Sequence, residues 1–227
     1  MTFLRNLAFY PLFYGVSAVL VIASLVAVLA RRAWLRPLVA TWGRWHLWCV
    51  QHLLGITVVQ HGTISDEPVL IAMKHESYFE AIDTPRLLAF PAVFAKQELF
   101  RIPGWGYSAR VYGLVPVARD QGAKALRAMI ASARERAAAG RPLVIFPEGT
   151  RVAHGTCPPL QAGFAGLYKL LGLPVVPVAV NSGPAYHRLL KQPGQITYKV
   201  GELIPAGLAR EDIEARVHAA INQLNTA

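Results

Sequence analysis

Seven short apolar runs, separated by turns or by segments of helical character, limit what this chain can fold into. Runs of this length, rich in β-branched residues, are typical of strands buried in a sheet. They are residues 56–60, 68–73, 92–95, 114–118, 142–146, 175–180 and 196–200. Clear helical patterns occupy residues 123–140 and 211–224. Since strands that alternate with helices form mostly parallel sheets, we expect an α/β fold with a mostly parallel, mixed sheet flanked by helices.

The N-terminal region carries a long uncharged stretch. No Asp, Glu, Lys or Arg occurs in the 25 residues from Asn6 to Ala30. As a helix this stretch would be about 37 Å long, which exceeds a hydrocarbon core of roughly 30 Å. A cleaved signal peptide is the alternative, but it would have a shorter apolar region and more positive charge before it. We therefore expect a retained membrane segment. Arg31, Arg32 and Arg36 follow it, so its C-terminal side would be cytoplasmic if it spans.

A second N-terminal segment is rich in tryptophan, which favours the interface between membrane and water. The four residues are Trp34, Trp42, Trp45 and Trp48. Two helices inserted from one side of the membrane are therefore an alternative to a spanning helix, and the sequence leaves both open. We predict a hydrophobic helix pair over residues 1–54 and a separate α/β domain over residues 55–227.

Composition agrees with a partner that is anionic or apolar. The formal net charge is +10, apolar residues make up 54% and charged residues only 16%. This balance favours an anionic membrane surface or acidic substrates. Nucleic acid is not expected, because the cations are scattered and no recognisable nucleic-acid-binding module occurs. Two cysteines without a CxxC motif indicate no disulfide framework.

One histidine stands among acids in "MKHESYFEAIDT", residues 73–84. Glu80 follows His75 by five residues, a spacing that keeps two side chains apart within a regular helix. The two can meet if His75 lies in a strand-to-helix turn and Glu80 lies in the helix. A carboxylate on one imidazole nitrogen fixes the tautomer and leaves the other nitrogen as a base. A structural or solvated histidine remains the alternative, and Asp83 is interpreted as a solvated helix acid.

Three further groups of polar residues follow predicted strands, where ligands bind in open α/β sheets. In "VIFPEGTR" a buried run ends at Pro147, and Glu148, Gly149, Thr150 and Arg151 come next. Glycine permits close backbone approach, and arginine can hold a phosphate through two bonds. Lys96 and Arg119 each end another predicted strand. The sequence leaves two interpretations open: these cations bind one anion together, or they are unrelated surface charges. The chain has no GxSxG, P-loop or GxGxxG motif and no zinc-ligand pattern, so no metal is expected.

Taken together, these segments resemble the acyltransferases of glycerolipid synthesis, in particular the bacterial 1-acylglycerol-3-phosphate acyltransferases. His75 and Glu80 resemble the family's H-x4-D block, and "GLVPVAR" resembles its G-x5-R block. "FPEGTR" matches the third block, "LPVVPVAV" resembles the fourth, and "KQELF" resembles the K-x-E-L stretch. The likeness runs from about Pro68 to Gly183. Two positions depart from the family: Lys74 stands where Asn is common, and Glu80 where Asp is usual.

The resemblance implies a glycerol-3-phosphate acyltransferase-like fold and direct acyl transfer, with residues 55–227 as the acyltransferase domain. His75 would be the general base and Glu80 its partner. Lys96, Arg119, Glu148, Gly149, Thr150 and Arg151 would form the substrate site. The acceptor would be lysophosphatidic acid, and the co-substrate acyl-CoA or acyl carrier protein, with no cofactor.

Membrane lipids would be partners, with the catalytic domain on the cytoplasmic side of the inner membrane. Another acceptor, such as a lyso-ornithine lipid, is the first alternative to this function. A catalytically weak lipid-binding protein, in which Glu80 marks lost activity, is the second.

Overall fold

Seven strands form one sheet at the centre of the structure, a computed structural model that describes residues 1–64, 66–117 and 122–225. The strands are β1 (Ile56–His61), β2 (Leu70–Met73), β3 (Ala92–Lys96), β4 (Val115–Val117), β5 (Leu143–Ile145), β6 (Val175–Val180) and β7 (Gly194–Val200). Their order is β1-β7-β6-β2-β5-β3-β4. Every neighbouring pair is parallel except β6 and β7. The predicted mostly parallel, mixed sheet is confirmed, and each of the seven apolar runs supplies one strand.

Helices cover both faces of this sheet. They are α1 (Thr2–Ala30), α2 (Leu35–Cys49), α3 (Phe79–Leu87), α4 (Trp105–Tyr112), α5 (Gly122–Ala138), α6 (Gly163–Leu171) and α7 (Arg210–Ile221). Short helical turns of other pitch lie at Arg32–Trp34, Val50–Leu54, Gln97–Arg101 and Gly183–His187. Pro11 lies inside α1, and Pro85 lies inside α3.

Two buried clusters, one on each face of the sheet, make up most of the core. Ile71 and Met73 of β2 belong to a cluster that includes side chains of α1, α2 and α3. Leu70 and Ala72, the alternate residues, belong to a second cluster with α5, α6 and α7. This alternation is what a strand covered on both sides requires. Because α1 and α2 contribute to the first cluster, the N-terminal helices are packed on the sheet. The predicted division near residue 54 stays a prediction.

Helix α1 lies along the α/β domain and is bonded to it near both ends. The buried Asn6 side chain donates to the Lys191 carbonyl and accepts from the Lys191 N–H, each at 2.9 Å. Further along, the hydroxyls of Ser24 and of Ser108 in α4 are 2.7 Å apart. Among the described residues, α1 is the one helix long and apolar enough to cross a membrane, a test that signal sequences and buried core helices also pass.

Gly106 at the start of α4 offers a test of this packing. A Cβ added there would overlap the Phe100 carbonyl oxygen, a backbone atom that cannot move aside cheaply. We expect Gly106→Ala to lower the free energy of unfolding by about 1–3 kcal/mol, as overpacking does. The matched control is Gly166→Ala in α6, where a Cβ would meet nothing within 4 Å.

In the control the better helix propensity of alanine should raise stability by up to about 1 kcal/mol. Urea unfolding of both variants in detergent, followed by circular dichroism, measures the two changes. Equal stability of the two variants would contradict the close approach of α4 to Phe100.

Candidate active site

The polar segments predicted to form a site lie at one edge of the sheet. β2, β5, β6 and β3 are parallel, so their carboxyl ends share that edge, where ligands bind in open α/β sheets. His75 follows β2, residues 148–151 follow β5, and Ser182 follows β6. Lys96 is the last residue of β3. Arg119, the other predicted cation, lies outside the described residues.

The His75 and Glu80 side chains meet at this edge. His75 lies in the turn between β2 and α3, and Glu80 is the second residue of α3. His75 Nδ1 is 3.0 Å from Glu80 Oε1. The imidazole also stacks on Phe146, with ring centroids 4.2 Å apart. No described residue provides a hydrogen-bond partner for Nε2, and the side chain is 15% exposed. One ring nitrogen is therefore held by a carboxylate while the other remains available, which is the arrangement of a general base.

Glu80 is fully buried, and its two oxygens accept hydrogen bonds from several donors besides His75. Oε1 accepts from the backbone N–H groups of Glu76 (2.6 Å) and Ser77 (2.8 Å). Oε2 accepts from the hydroxyls of Ser77 (3.1 Å) and Ser182 (2.6 Å). Burial alone would raise the pKa of Glu80, but its bonds to His75, Ser182 and the Ser77 N–H together lower that pKa below its usual value. Glu80 is therefore ionised and can stabilise a protonated His75.

Glu148 holds the backbone of His75. Its Oε2 accepts the His75 N–H at 2.9 Å, while the His75 carbonyl accepts the Val152 N–H at 2.8 Å. Glu148 is only 2% exposed. Both its oxygens have partners within the protein, because Oε1 accepts from Lys74. The segment after β5 thus fixes the position of the segment after β2.

Lys74 is a fully buried lysine whose ammonium has three acceptors. Nζ lies 2.6 Å from Glu148 Oε1, 2.7 Å from Asn222 Oδ1 and 3.1 Å from the Thr156 carbonyl. A buried ammonium is tolerated only when its charge and its donors are matched in this way. Lys74 therefore links the turn that carries His75 to the C-terminal end of α7.

The remaining predicted residues are more open. Gly149 has φ of +71°, a conformation that favours glycine, and its N–H closes a tight turn with the Phe146 carbonyl at 2.9 Å. Thr150, Arg151 and Lys96 are exposed. The Arg151 guanidinium carbon lies 3.9 Å from the centre of the Tyr78 ring. The turn at Gly149 thus places Arg151, which has no hydrogen-bond partner among the described residues, at the same edge as His75.

The interpretation of Asp83 as a solvated acid is wrong. Asp83 is fully buried, and its carboxylate accepts two bonds from Arg86, at 2.6 and 2.7 Å, and one from the Tyr198 hydroxyl at 3.1 Å. Burial raises the pKa of Asp83 although Arg86 and Tyr198 lower it. This carboxylate joins α3 to β7 and does not face the solvent.

Sequence reasoning missed a second histidine–carboxylate pair and the segment after β6. His154 Nδ1 is 3.0 Å from Glu76 Oε1, and the Gly183 N–H donates to Glu76 Oε2 at 2.7 Å. Ser182 bonds Glu80 from the same segment. The one sequence signal for Ser182 as a site residue was its position shortly after an apolar run. Within the described residues no group of three or more His, Cys, Asp or Glu side chains is placed to hold a metal ion.

Comparisons with known proteins identify the family of this chain. A family model described as "Acyltransferase" matches residues 55–181, more than half of the chain. The chain belongs to the acyltransferase family. A 1-acyl-sn-glycerol-3-phosphate acyltransferase of Pseudomonas aeruginosa is 29% identical over 86% of this chain and 76% of its own length. A protein with the same description from Helicobacter pylori is 31% identical over 45% of this chain and 44% of its own length.

A crystal structure shares the fold of this acyltransferase. The 1-acyl-sn-glycerophosphate (LPA) acyltransferase PlsC from Thermotoga maritima superimposes with a TM-score of 0.78. The match covers 100% of this chain and 99% of that one, at 24% identity. The sheet and the N-terminal helices are therefore an arrangement that another solved protein also adopts.

The buried pair of Lys74 and Glu148 generates a stability prediction for this acyltransferase. Lys74→Met leaves the Glu148 carboxylate buried without its cation, which typically costs about 3–5 kcal/mol. We expect Lys74→Met/Glu148→Gln to be more stable than Lys74→Met alone, because the second change removes the unpaired charge. Lys199→Met, at an exposed position of β7, is the control and should change stability by less than about 0.5 kcal/mol. Denaturant unfolding of the four proteins checks this, and similar midpoints for both single variants would contradict the pairing.

Proposed function

We propose that this acyltransferase moves a fatty acyl group from a thioester to the sn-2 hydroxyl of 1-acylglycerol 3-phosphate, giving phosphatidic acid. The observation that carries the proposal is the His75–Glu80 pair at the carboxyl edge of a parallel sheet. The names of the relatives from Pseudomonas aeruginosa and Helicobacter pylori point to the same reaction.

His75 acts as general base in the proposed step. Its Nε2 takes the proton of the acceptor hydroxyl as the hydroxyl oxygen attacks the thioester carbonyl carbon. Glu80 stabilises the imidazolium that forms. When the tetrahedral intermediate collapses, the carbon–sulfur bond breaks, and the imidazolium gives its proton to the leaving thiolate. The products are the ester and a free thiol, so the step is balanced without a cofactor.

Arg151 binds the phosphate of the acceptor, helped by Lys96 and Arg119. The Arg151 donors have no hydrogen-bond partner in the described part of the chain, and a guanidinium can hold two phosphate oxygens at once. Gly149 supports this role by turning the backbone, with the exposed Thr150 beside it as a further donor. Glu148 serves the reaction indirectly, because both its oxygens are occupied by Lys74 and the His75 N–H.

The donor is acyl-CoA or acyl carrier protein, both of which are anionic. A formal net charge of +10 favours either one. The two differ in how they would be recognised, one as a nucleotide and the other as a folded acidic protein. Assays with both donors therefore belong in every test of the site.

The N-terminal helices insert into one leaflet of the inner membrane from the cytoplasmic side. Because α1 is bonded to the domain through both Asn6 and Ser24, one side of it faces protein along most of its length. The other side exposes large apolar residues at helical spacing, and exposed tryptophans lie just before α2 and near its C-terminal end. They are Leu12, Val19, Ile22, Val26, Leu29, Trp34 and Trp48. An apolar surface of this kind on a protein with exposed arginines fits an anionic lipid surface.

His75→Ala tests the chemistry. Loss of a general base typically lowers the rate about 10²- to 10⁴-fold. Release of thiol from each donor, in the presence of a panel of lysolipid acceptors, measures turnover. His154→Ala is a matched control, since it removes the imidazole paired with Glu76. A folded His75→Ala protein with activity within a few-fold of the parent would overturn the assignment of His75 as general base. If the parent protein prefers an acceptor without phosphate, 1-acylglycerol 3-phosphate is not its substrate.

Arg151→Lys tests the phosphate site. The variant keeps the positive charge but loses the fork of donors, so we expect a higher KM for 1-acylglycerol 3-phosphate and an unchanged donor KM. Loss of a charge-assisted hydrogen bond corresponds to a fall of roughly 10- to 150-fold in kcat/KM. Steady-state kinetics with each substrate varied in turn gives the KM for the acceptor and the KM for the donor. An increase confined to the donor KM would mean that Arg151 contacts the thioester carrier.

Membrane insertion from one side is tested with single cysteines at the two ends of α1. Thr2→Cys and Arg31→Cys are each made in a background lacking the exposed Cys157. Helix insertion from one side predicts that a membrane-impermeant maleimide labels both positions in inverted vesicles and neither in intact spheroplasts. Labelling of one position from each side would show that α1 spans the membrane.

A further inference from the structure

Arg151 differs from the better-buried arginines in having no polar partner. The Arg141 guanidinium donates to three backbone carbonyls, and Arg86 forms two bonds with Asp83. Arg151 makes no hydrogen bond or ion pair with any described residue. Its contact is with the face of Tyr78, whose ring centre lies 3.9 Å from the guanidinium carbon. All five of its N–H donors are therefore left for something outside the described protein.

Tyr78 has no evident role in the core. It is 58% exposed, and none of the described residues bonds its hydroxyl. Its backbone is well held, since it is the residue that precedes α3 and its carbonyl accepts the Ile82 N–H at 3.1 Å. A fixed backbone that presents a large exposed ring to a cation is a means of orienting that cation.

We propose that Tyr78 is a positioning residue that orients Arg151 toward the acceptor phosphate. A ring beneath the guanidinium attracts its flat face and leaves the N–H donors in the plane free. Contact with the ring also limits the rotamers of a long side chain that otherwise loses its freedom when the phosphate binds. This proposal rests on the proposed function, because it takes Arg151 as the phosphate ligand.

The contact between Tyr78 and Arg151 also relates the position of the proposed phosphate ligand to the position of His75. Tyr78 lies three residues after His75, in the turn that Glu80 and Glu148 hold in place. The base and the support of the phosphate ligand therefore belong to one short, rigid segment. The position of the proposed phosphate ligand is thereby tied to the position of His75.

Two variants, Tyr78→Leu and Tyr78→Phe, test the proposal. Each is made in the parent protein and in an Arg151→Ala background. Leucine removes the ring, so the acceptor KM should rise about two- to fivefold, the scale of an exposed cation–π contact, with kcat and the donor KM little changed. Phenylalanine keeps the ring, so Tyr78→Phe should have the same acceptor KM as the parent. In the Arg151→Ala background, Tyr78→Leu should have no further effect. Tyr107→Leu is a control, because Tyr107 is 51% exposed and contacts no described cation.

Two outcomes would overturn the role of Tyr78 and leave the proposed function standing. The first is a loss on Tyr78→Leu that persists in the Arg151→Ala background, which means that the ring contacts substrate directly. The second is no change on Tyr78→Leu while Arg151→Lys raises the acceptor KM. If Arg151→Lys leaves the acceptor KM unchanged, the phosphate site itself is wrong. Competitive inhibition by glycerol 3-phosphate, measured on the same variants, separates headgroup binding from effects on the acyl chain.

Discussion

The buried carboxylate of Glu80 is the interaction on which the active-site edge depends. An ionised carboxylate without partners inside a protein is very unfavourable, so its burial requires donors on both oxygens. Those donors come from two separate places: the turn between β2 and α3, and the segment after β6. Satisfying Glu80 therefore fixes these two segments relative to each other, and His75 belongs to the first of them. The same bonds keep Glu80 ionised, so one set of contacts serves both stability and the proposed chemistry.

Around Glu80 the charges are arranged in pairs rather than as a single cluster. Lys74 is matched with Glu148, Glu76 with His154, and Arg86 with Asp83. The first two pairs join different segments, whereas Arg86 and Asp83 lie one turn apart in α3. The first two therefore contribute to the shape of the site as well as to its polarity. Arg151 stands outside this pairing and is exposed. The contrast separates cations that build the site from Arg151, for which no described residue provides a hydrogen bond or an ion pair.

Short-range patterns predicted a large part of this structure. The seven strands follow from apolar runs, and the meeting of His75 with Glu80 follows from a strand that turns directly into a helix. Other features depend on partners that sequence does not bring together. Asp83 is buried because Tyr198, on a strand 115 residues later, donates to it. The packing of α1 on the domain depends on a pair of bonds between Asn6 and Lys191, 185 residues apart. No local pattern reveals such pairs.

The bond between Lys74 and Asn222 has a consequence for the order in which the protein matures. These side chains are 148 residues apart in the chain, and Asn222 directly follows α7. During synthesis the sheet strands and the segment with His75 emerge well before Asn222 does. Until α7 has docked, the Lys74 ammonium lacks one of its three acceptors. The site is thus completed only when α7 has docked, and the nascent chain lacks this contact of Lys74 until Asn222 has been made.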